Sequence, residues 1–364
     1  MPTPSTNPPT SSSVRPSRWL NLVLFLAAIL WAGCARVLST GASEVFDFRF
    51  HLDDAMPFVS SLLELLLLLL GFGLLCQIGG WRTPLGLPRR ATAPSEWAKG
   101  AAIGWGLASA AVLPLALARA LDVHLWLAPR AYELVALNLA TLAVETLGAV
   151  LVFAGYPYHR LIDAVGRTRA TLLFVLLLGL AQSIAIHATG LALPAAVPVA
   201  LLGSLLIELA WLRTHGLWLG WGIAFAWNTS MALVFGLPIQ GFSAFSAVVE
   251  TRAIGPAWFT GGGCGPSAAW LTALLLIVAI PILLRLTDDY AWNYTRPPLT
   301  PAGIEVTIAP PAAHNSSVPT AQSQSATTQL AIPPAAPLVQ ILPSTPRGAS
   351  VRSSFDVADP SESE

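Results

Sequence analysis

The chain alternates between long apolar runs and short polar segments, and the runs have the length of membrane-spanning helices rather than of strands. They lie near residues 19–38, 57–79, 98–118, 134–154, 170–190, 193–212, 217–236 and 268–286, each close to the roughly 20 residues that an α-helix needs to cross a bilayer. The pattern predicts an all-α fold, a polytopic transmembrane bundle of about eight helices over residues 18–296. The flanks read differently. Residues 1–17 (MPTPSTNPPTSSSVRPS) and 297–364 are rich in Pro, Ser, Thr and Ala and end in a weakly acidic SFDVADPSESE. Neither buries enough apolar surface to offset the entropy of ordering, so both are predicted to be disordered tails.

Composition sharpens this picture. Apolar residues make up 54% of the chain and charged residues 10%, and the charges fall mostly between the runs, which excludes a soluble globule. Lys+Arg and Asp+Glu are 19 each, so net charge points to neither nucleic acid nor an acidic substrate. Placement carries the information. Arg15 and Arg18 precede the first run, Arg82, Arg89, Arg90 and Lys99 the third, and Arg160, Arg167 and Arg169 the fifth. The first alternate loop holds Glu44, Asp47, Asp53 and Asp54. By the positive-inside rule the basic segments are cytoplasmic, and with an even number of spans both termini face the cytoplasm.

Cys34, Cys76 and Cys264 lack Cys-x-x-Cys spacing, so neither a disulfide framework nor a thiolate metal site is indicated. Trp31-Ala32-Gly33-Cys34 loosely resembles a lipoprotein cleavage site, but Trp31 suits that position poorly. Arg36 and the continuing apolar run read instead as a retained helix.

Ionisable residues inside spans are costly and mark candidate sites, which here are Glu64, Glu145, His187 and Glu208. Each has a structural reading beside the functional one. Glu64, in a leucine-rich helix, is suited to fixing helix packing by a hydrogen bond. Glu208 is five residues before Arg213 and is placed to pair with Arg213 or His215, while His187 lies near the outer end of its span. Glu145, with only Asn138, Thr141 and Thr146 as polar helix neighbours, is the best candidate acid. No His-Glu-x-x-His, Gly-x-Ser-x-Gly, phosphate loop or dinucleotide fingerprint occurs. Gly100-x-x-x-Gly104 and Gly216-x-x-x-Gly220 permit close helix approach, a spacing common in membrane helices.

A set of local patterns adds a family resemblance. Phe153-Ala154-Gly155-Tyr156 is followed by His159-Arg160-Leu161, Leu212-Arg213-Thr214-His215-Gly216-Leu217-Trp218 by Phe225-Ala226-Trp227-Asn228, and Phe235-Gly236-Leu237-Pro238 by Thr260-Gly261-Gly262-Gly263 and Gly265-Pro266. In order and spacing, the stretch from about 143 to 275 resembles the CPBP family of intramembrane metalloproteases, the group of CAAX prenyl endopeptidases and bacteriocin-processing or self-immunity proteins. The resemblance implies a CPBP-like core over about 98–286 and a bacterial inner membrane. Active members bind a divalent metal, usually zinc, through a glutamate pair followed by Phe-Arg-Gly, a Phe-x-x-x-His and a His-x-x-x-Asn.

On this chain the glutamates fall on Ala149 and Val150, the arginine on Ala154, the second motif on Leu178 and Gln182, and the final histidine on Ala224. Asn228 alone survives. A catalytic metal needs about three protein ligands and a base for the water proton, and alanine and valine supply neither. Gln182 and Asn228 retain amide hydrogen bonding. Glu145, one turn before Ala149, shares its face at about 6 Å along the axis, whereas His187 is rotated by about 140° from Gln182. A displaced site would therefore draw on Glu145 and Glu208, with zinc if rebuilt.

The expected function is that of a pseudoprotease with no cofactor, whose former catalytic cavity has become apolar and binds a transmembrane peptide, a prenyl chain or a lipid. An active endopeptidase using Glu145 and Glu208 is the enzymatic alternative. A transporter component is a third, without a visible inverted repeat, although Pro114, Pro194, Pro198 and Pro281 are placed to kink helices.

Overall fold

The computed structural model describes residues 17–51, 54–79, 86–88, 90–185, 193–239, 245 and 247–287. Both predicted tails, apart from Ser17, lie outside the described residues, as does His187. The described chain forms α1 (Arg18–Phe50), α2 (Met56–Gly79), α3 (Ala93–Leu117), α4 (Pro129–Ala154), α5 (Tyr156–Val165), α6 (Arg167–Ala185), α7 (Leu193–Thr214), α8 (Trp218–Thr229), α9 (Ala257–Thr260) and α10 (Trp270–Leu286).

Among the described residues six helical segments are long and apolar enough to cross a membrane: α1, α2, α3, α4 continued through α5, α7, and α10 with the turn from Gly262. The protein is a multi-pass helical membrane protein. The fifth predicted span falls on α6 as far as Ala185, its remaining positions lying outside the described residues, and the seventh is α8 extended by a π-helical turn at Ser230–Val234. Leu30, Leu66, Leu70, Leu74, Leu172 and Leu274 stand exposed on the outer surface, as lipid contact requires.

The first helix departs most from the sequence pattern. The polar Ser39–Thr40 and Ser43–Glu44 steps suggest an end near 38, yet α1 runs to Phe50, where His51 caps it in a left-handed conformation and donates its N–H to Asp47 O. Ser39 and Thr40 donate their hydroxyls back to Arg36 O, and Ser43 to Thr40 O, so the polar positions are satisfied inside the helix. At about 1.5 Å per residue its 33 residues span about 50 Å, well beyond the hydrocarbon thickness. Arg36 therefore sits in mid-helix.

The most extensive helix pairing joins α3 to α8. It is built on glycine. A Cβ at Gly100 would lie 2.2 Å from Leu219 O, one at Gly104 2.3 Å from Ile223 O, and one at Gly222 2.2 Å from Trp97 O. The Gly100-x-x-x-Gly104 spacing is thus the seam that lets the two backbones touch.

The turn before α8 is held from outside. His215 takes a positive φ of 48°, and Arg90 donates to Thr214 O at 2.7 Å and to His215 O at 2.8 Å. The same guanidinium lies 3.4 Å from the fully buried Glu96, which also accepts from the Thr92 hydroxyl. In α5, Arg160 is buried rather than solvated: it donates to Asn21 Oδ1 of α1 at 3.1 Å and lies over the Tyr156 ring. One addition to the helical plan is a two-stranded antiparallel ribbon, β1 (Leu121–Leu125) against β2 (Val249–Ala253).

Candidate functional site

A cavity of about 570 Å³ opens between α1, α2, α4, α6, α7 and α8. Five positions from the family pattern border it: Ala149 and Val150 of α4, Gln182 of α6, and Ala224 and Asn228 of α8. Residues more than 70 apart in sequence therefore meet, which is what a shared site demands of three separate motifs. A smaller cavity of about 160 Å³ adjoins it, sharing Gln182, Gly203, Ile207, Ala224 and Asn228 and reaching Thr272 and Leu276 of α10. The two amides stand where the cavities join.

The other family positions lie elsewhere. Ala154 is buried in the core where α4 ends at Gly155, and a Cβ on Gly155 would come 2.1 Å from Leu151 O, so the chain turns there into α5. Leu178 belongs to the same core cluster, with Phe174, Tyr158 and Trp211.

Charge enters the cavity from a residue outside the expected site. Arg36 of α1 lines it and donates to Glu64 Oε2 of α2 at 2.5 Å. Glu64 thus fixes α1 to α2, as its sequence context suggests. Glu145 lines the cavity one turn from Ala149 and feels the charges of both Arg36 and Glu64, but forms no hydrogen bond among the described residues. Ser60, Ser61, Thr146 and Ser204 add hydroxyls to the wall. The expectation of an apolar cavity is corrected accordingly. Its floor of Ala149, Val150, Phe153, Ile207 and Ala224 is apolar, while Arg36, paired with a Glu64 that is not itself in the lining, and the Glu145 carboxylate also border it. The charged groups come from Arg36 of α1 and Glu145 of α4, neither of which is among the motif positions.

Glu208 also departs from its sequence reading. It is fully buried, neither carboxylate oxygen has a hydrogen-bond partner among the described residues, and it does not line the cavity that Glu145 lines. Pairing with Arg213 or His215 does not form. Arg213 instead donates to the backbone carbonyls of Leu284 and Thr287, tying α7 to the end of α10, and His215 packs edge-on against Trp211. Helical geometry explains the difference: five residues rotate Glu208 about 140° from Arg213, so the two face different neighbours.

The donor set does not fit the zinc that the family resemblance implies. Alanine and valine stand at the ligand positions, Glu145 is the single carboxylate on the cavity wall, and among the described residues no group of three or more His, Cys, Asp or Glu side chains is arranged to hold a metal. What the cavity offers is one carboxylate, one paired guanidinium, two amides and an apolar floor. No protein-family model, no curated protein and no solved structure matches this chain.

Proposed function

We propose that the protein is a CPBP-like membrane protein that binds an apolar guest in the cavity between α4, α6 and α8 and does not cleave it. One observation carries the reading. The five positions that match the family's motifs border one cavity, and of them only Asn228 keeps the family's residue, while no carboxylate or histidine stands at the other four. Coordinated loss at positions that still converge favours a site kept for its shape. The proposal includes the orientation read from charge placement, with both termini cytoplasmic in a bacterial inner membrane.

The endopeptidase reading with a displaced site loses support because Glu145 lines the cavity and Glu208 does not. Elemental mass spectrometry of the purified protein, after zinc exposure and removal of loose ions, tests the choice. The protein as it stands is expected to retain almost no zinc. The combined Ala149→Glu, Val150→Glu, Gln182→His and Ala224→His variant is expected to retain about one per chain, since it restores four ligands around one space. Zinc held by the unaltered protein and lost in Glu145→Gln would instead establish a rebuilt catalytic centre.

A further inference from the structure

We infer that the guest is a lipid-like amphiphile with a cationic amine head, and that Glu145 is the residue that receives the head. The inference rests on the reading of the cavity as a binding site and adds the chemistry of what it binds.

Size comes first. A transmembrane helix is about 10 Å across and about 30 Å long, roughly 2,000 Å³ or more of matter, which is several times the 570 Å³ of the cavity. A single chain with a small head is the scale that pockets of about 300–1,000 Å³ accept. The floor suits the chain: Ala149, Val150, Phe153, Ile207 and Ala224 present methyl, aliphatic and aromatic surface without a charge.

Charge then selects the head. Three ionisable groups interact at the α1–α2 side: Arg36, Glu64 and Glu145. Arg36 is committed to Glu64 by a 2.5 Å hydrogen bond, so one positive and one negative charge are joined and the Glu145 carboxylate is left over. An ionisable group in the hydrocarbon region without a partner is expensive, and such groups are retained where a ligand or pathway uses them. An anionic head would meet the Glu145 carboxylate, and the one guanidinium in the lining is already hydrogen-bonded to Glu64. A neutral head would add no opposite charge beside Glu145 and so would gain no charge-assisted hydrogen bond there. A protonated amine completes the pairing, and the hydroxyls of Ser60, Ser61 and Thr146, which also line the cavity, supply acceptors for its remaining N–H groups.

The test is saturable binding of labelled hexadecylamine and of hexadecanol to the full-length protein in lipid nanodiscs. The amine is expected to bind about tenfold more tightly than the alcohol. Glu145→Gln, which keeps shape and removes charge, is expected to bring the two to the same affinity. Ala224→Trp, which fills the floor, is expected to abolish both. Equal binding of amine and alcohol by the unaltered protein overturns the cationic head while leaving an apolar guest in place. An amine preference that survives in Glu145→Gln overturns the role of that carboxylate. Binding of neither overturns the reading of the cavity as well, and an Ala224→Trp protein that fails to fold leaves the first two comparisons decisive.

Discussion

Gly104→Leu is expected to lower the thermal midpoint of the detergent-solubilised protein by about 10 °C, equivalent to about 3 kcal/mol, while Gly106→Leu two residues away leaves it within about 2 °C. Both replace a glycine on α3 with a good helix former, so local propensity favours both changes equally. What differs is the neighbour. A Cβ at Gly104 would sit 2.3 Å from a backbone oxygen of α8, and a backbone cannot swing aside as a side chain does. A Cβ at Gly106 meets nothing within 4 Å. Gly100 and Gly222 complete the same seam, so the clash at 104 is relieved only if α3 and α8 part along its length. Thermal unfolding followed by intrinsic tryptophan fluorescence checks the pair, and equal shifts for the two variants would mean that the helices do not approach at these glycines.

The same seam shows what the sequence made legible. A Gly-x-x-x-Gly spacing names a face that permits close packing but not its partner, because many membrane helices carry one. Gly222 on α8 supplies the missing half, and nothing within α3 announces it. The helical class, by contrast, was readable throughout, since apolar length alone separates spans from connections when the solvent is hydrocarbon. Boundaries were less so. Ser39, Thr40 and Ser43 look like a helix end until their hydroxyls are seen to bond back within α1, and the two five-residue strands are too short and too mixed in polarity to give a period.

At the candidate site five of the motif positions lie together in space, whereas of the described ionisable candidates Glu145 alone lines the cavity. Ala149, Gln182 and Ala224 were placed by alignment of turns and spacing, and they border one space. The role of Arg36 depends on where α1 ends: at the end of a span an arginine reaches water, whereas in mid-helix it needs a carboxylate, which Glu64 provides. Glu208 was assigned a partner by sequence distance along one helix, and that distance does not decide which face it occupies.

Arg90→Met is expected to destabilise the protein by about 3 kcal/mol, because breaking a buried pair on one side leaves the other charge without compensation. Methionine preserves the apolar stem that packs in this region and removes every donor. Glu96, fully buried in the first turn of α3, would lose its cation, and the carbonyls of Thr214 and His215 would lose theirs. Adding Glu96→Gln is expected to recover about a third of the loss, since the buried charge disappears but the two carbonyls still lack the guanidinium that donates to them. Arg90→Lys is expected to recover little on its own, because an ammonium cannot span two carbonyls and a carboxylate as a planar guanidinium does. The effect should reach the cavity. The clamped turn leads directly into α8, and α8 carries Ala224 and Asn228 on the cavity border, so a turn released from Arg90 shifts the wall against which a guest packs. Thermal unfolding of the three variants, with guest binding measured well below the midpoint, separates the two consequences. A single variant as stable as the unaltered protein would show that α8 is positioned by its glycine seam alone.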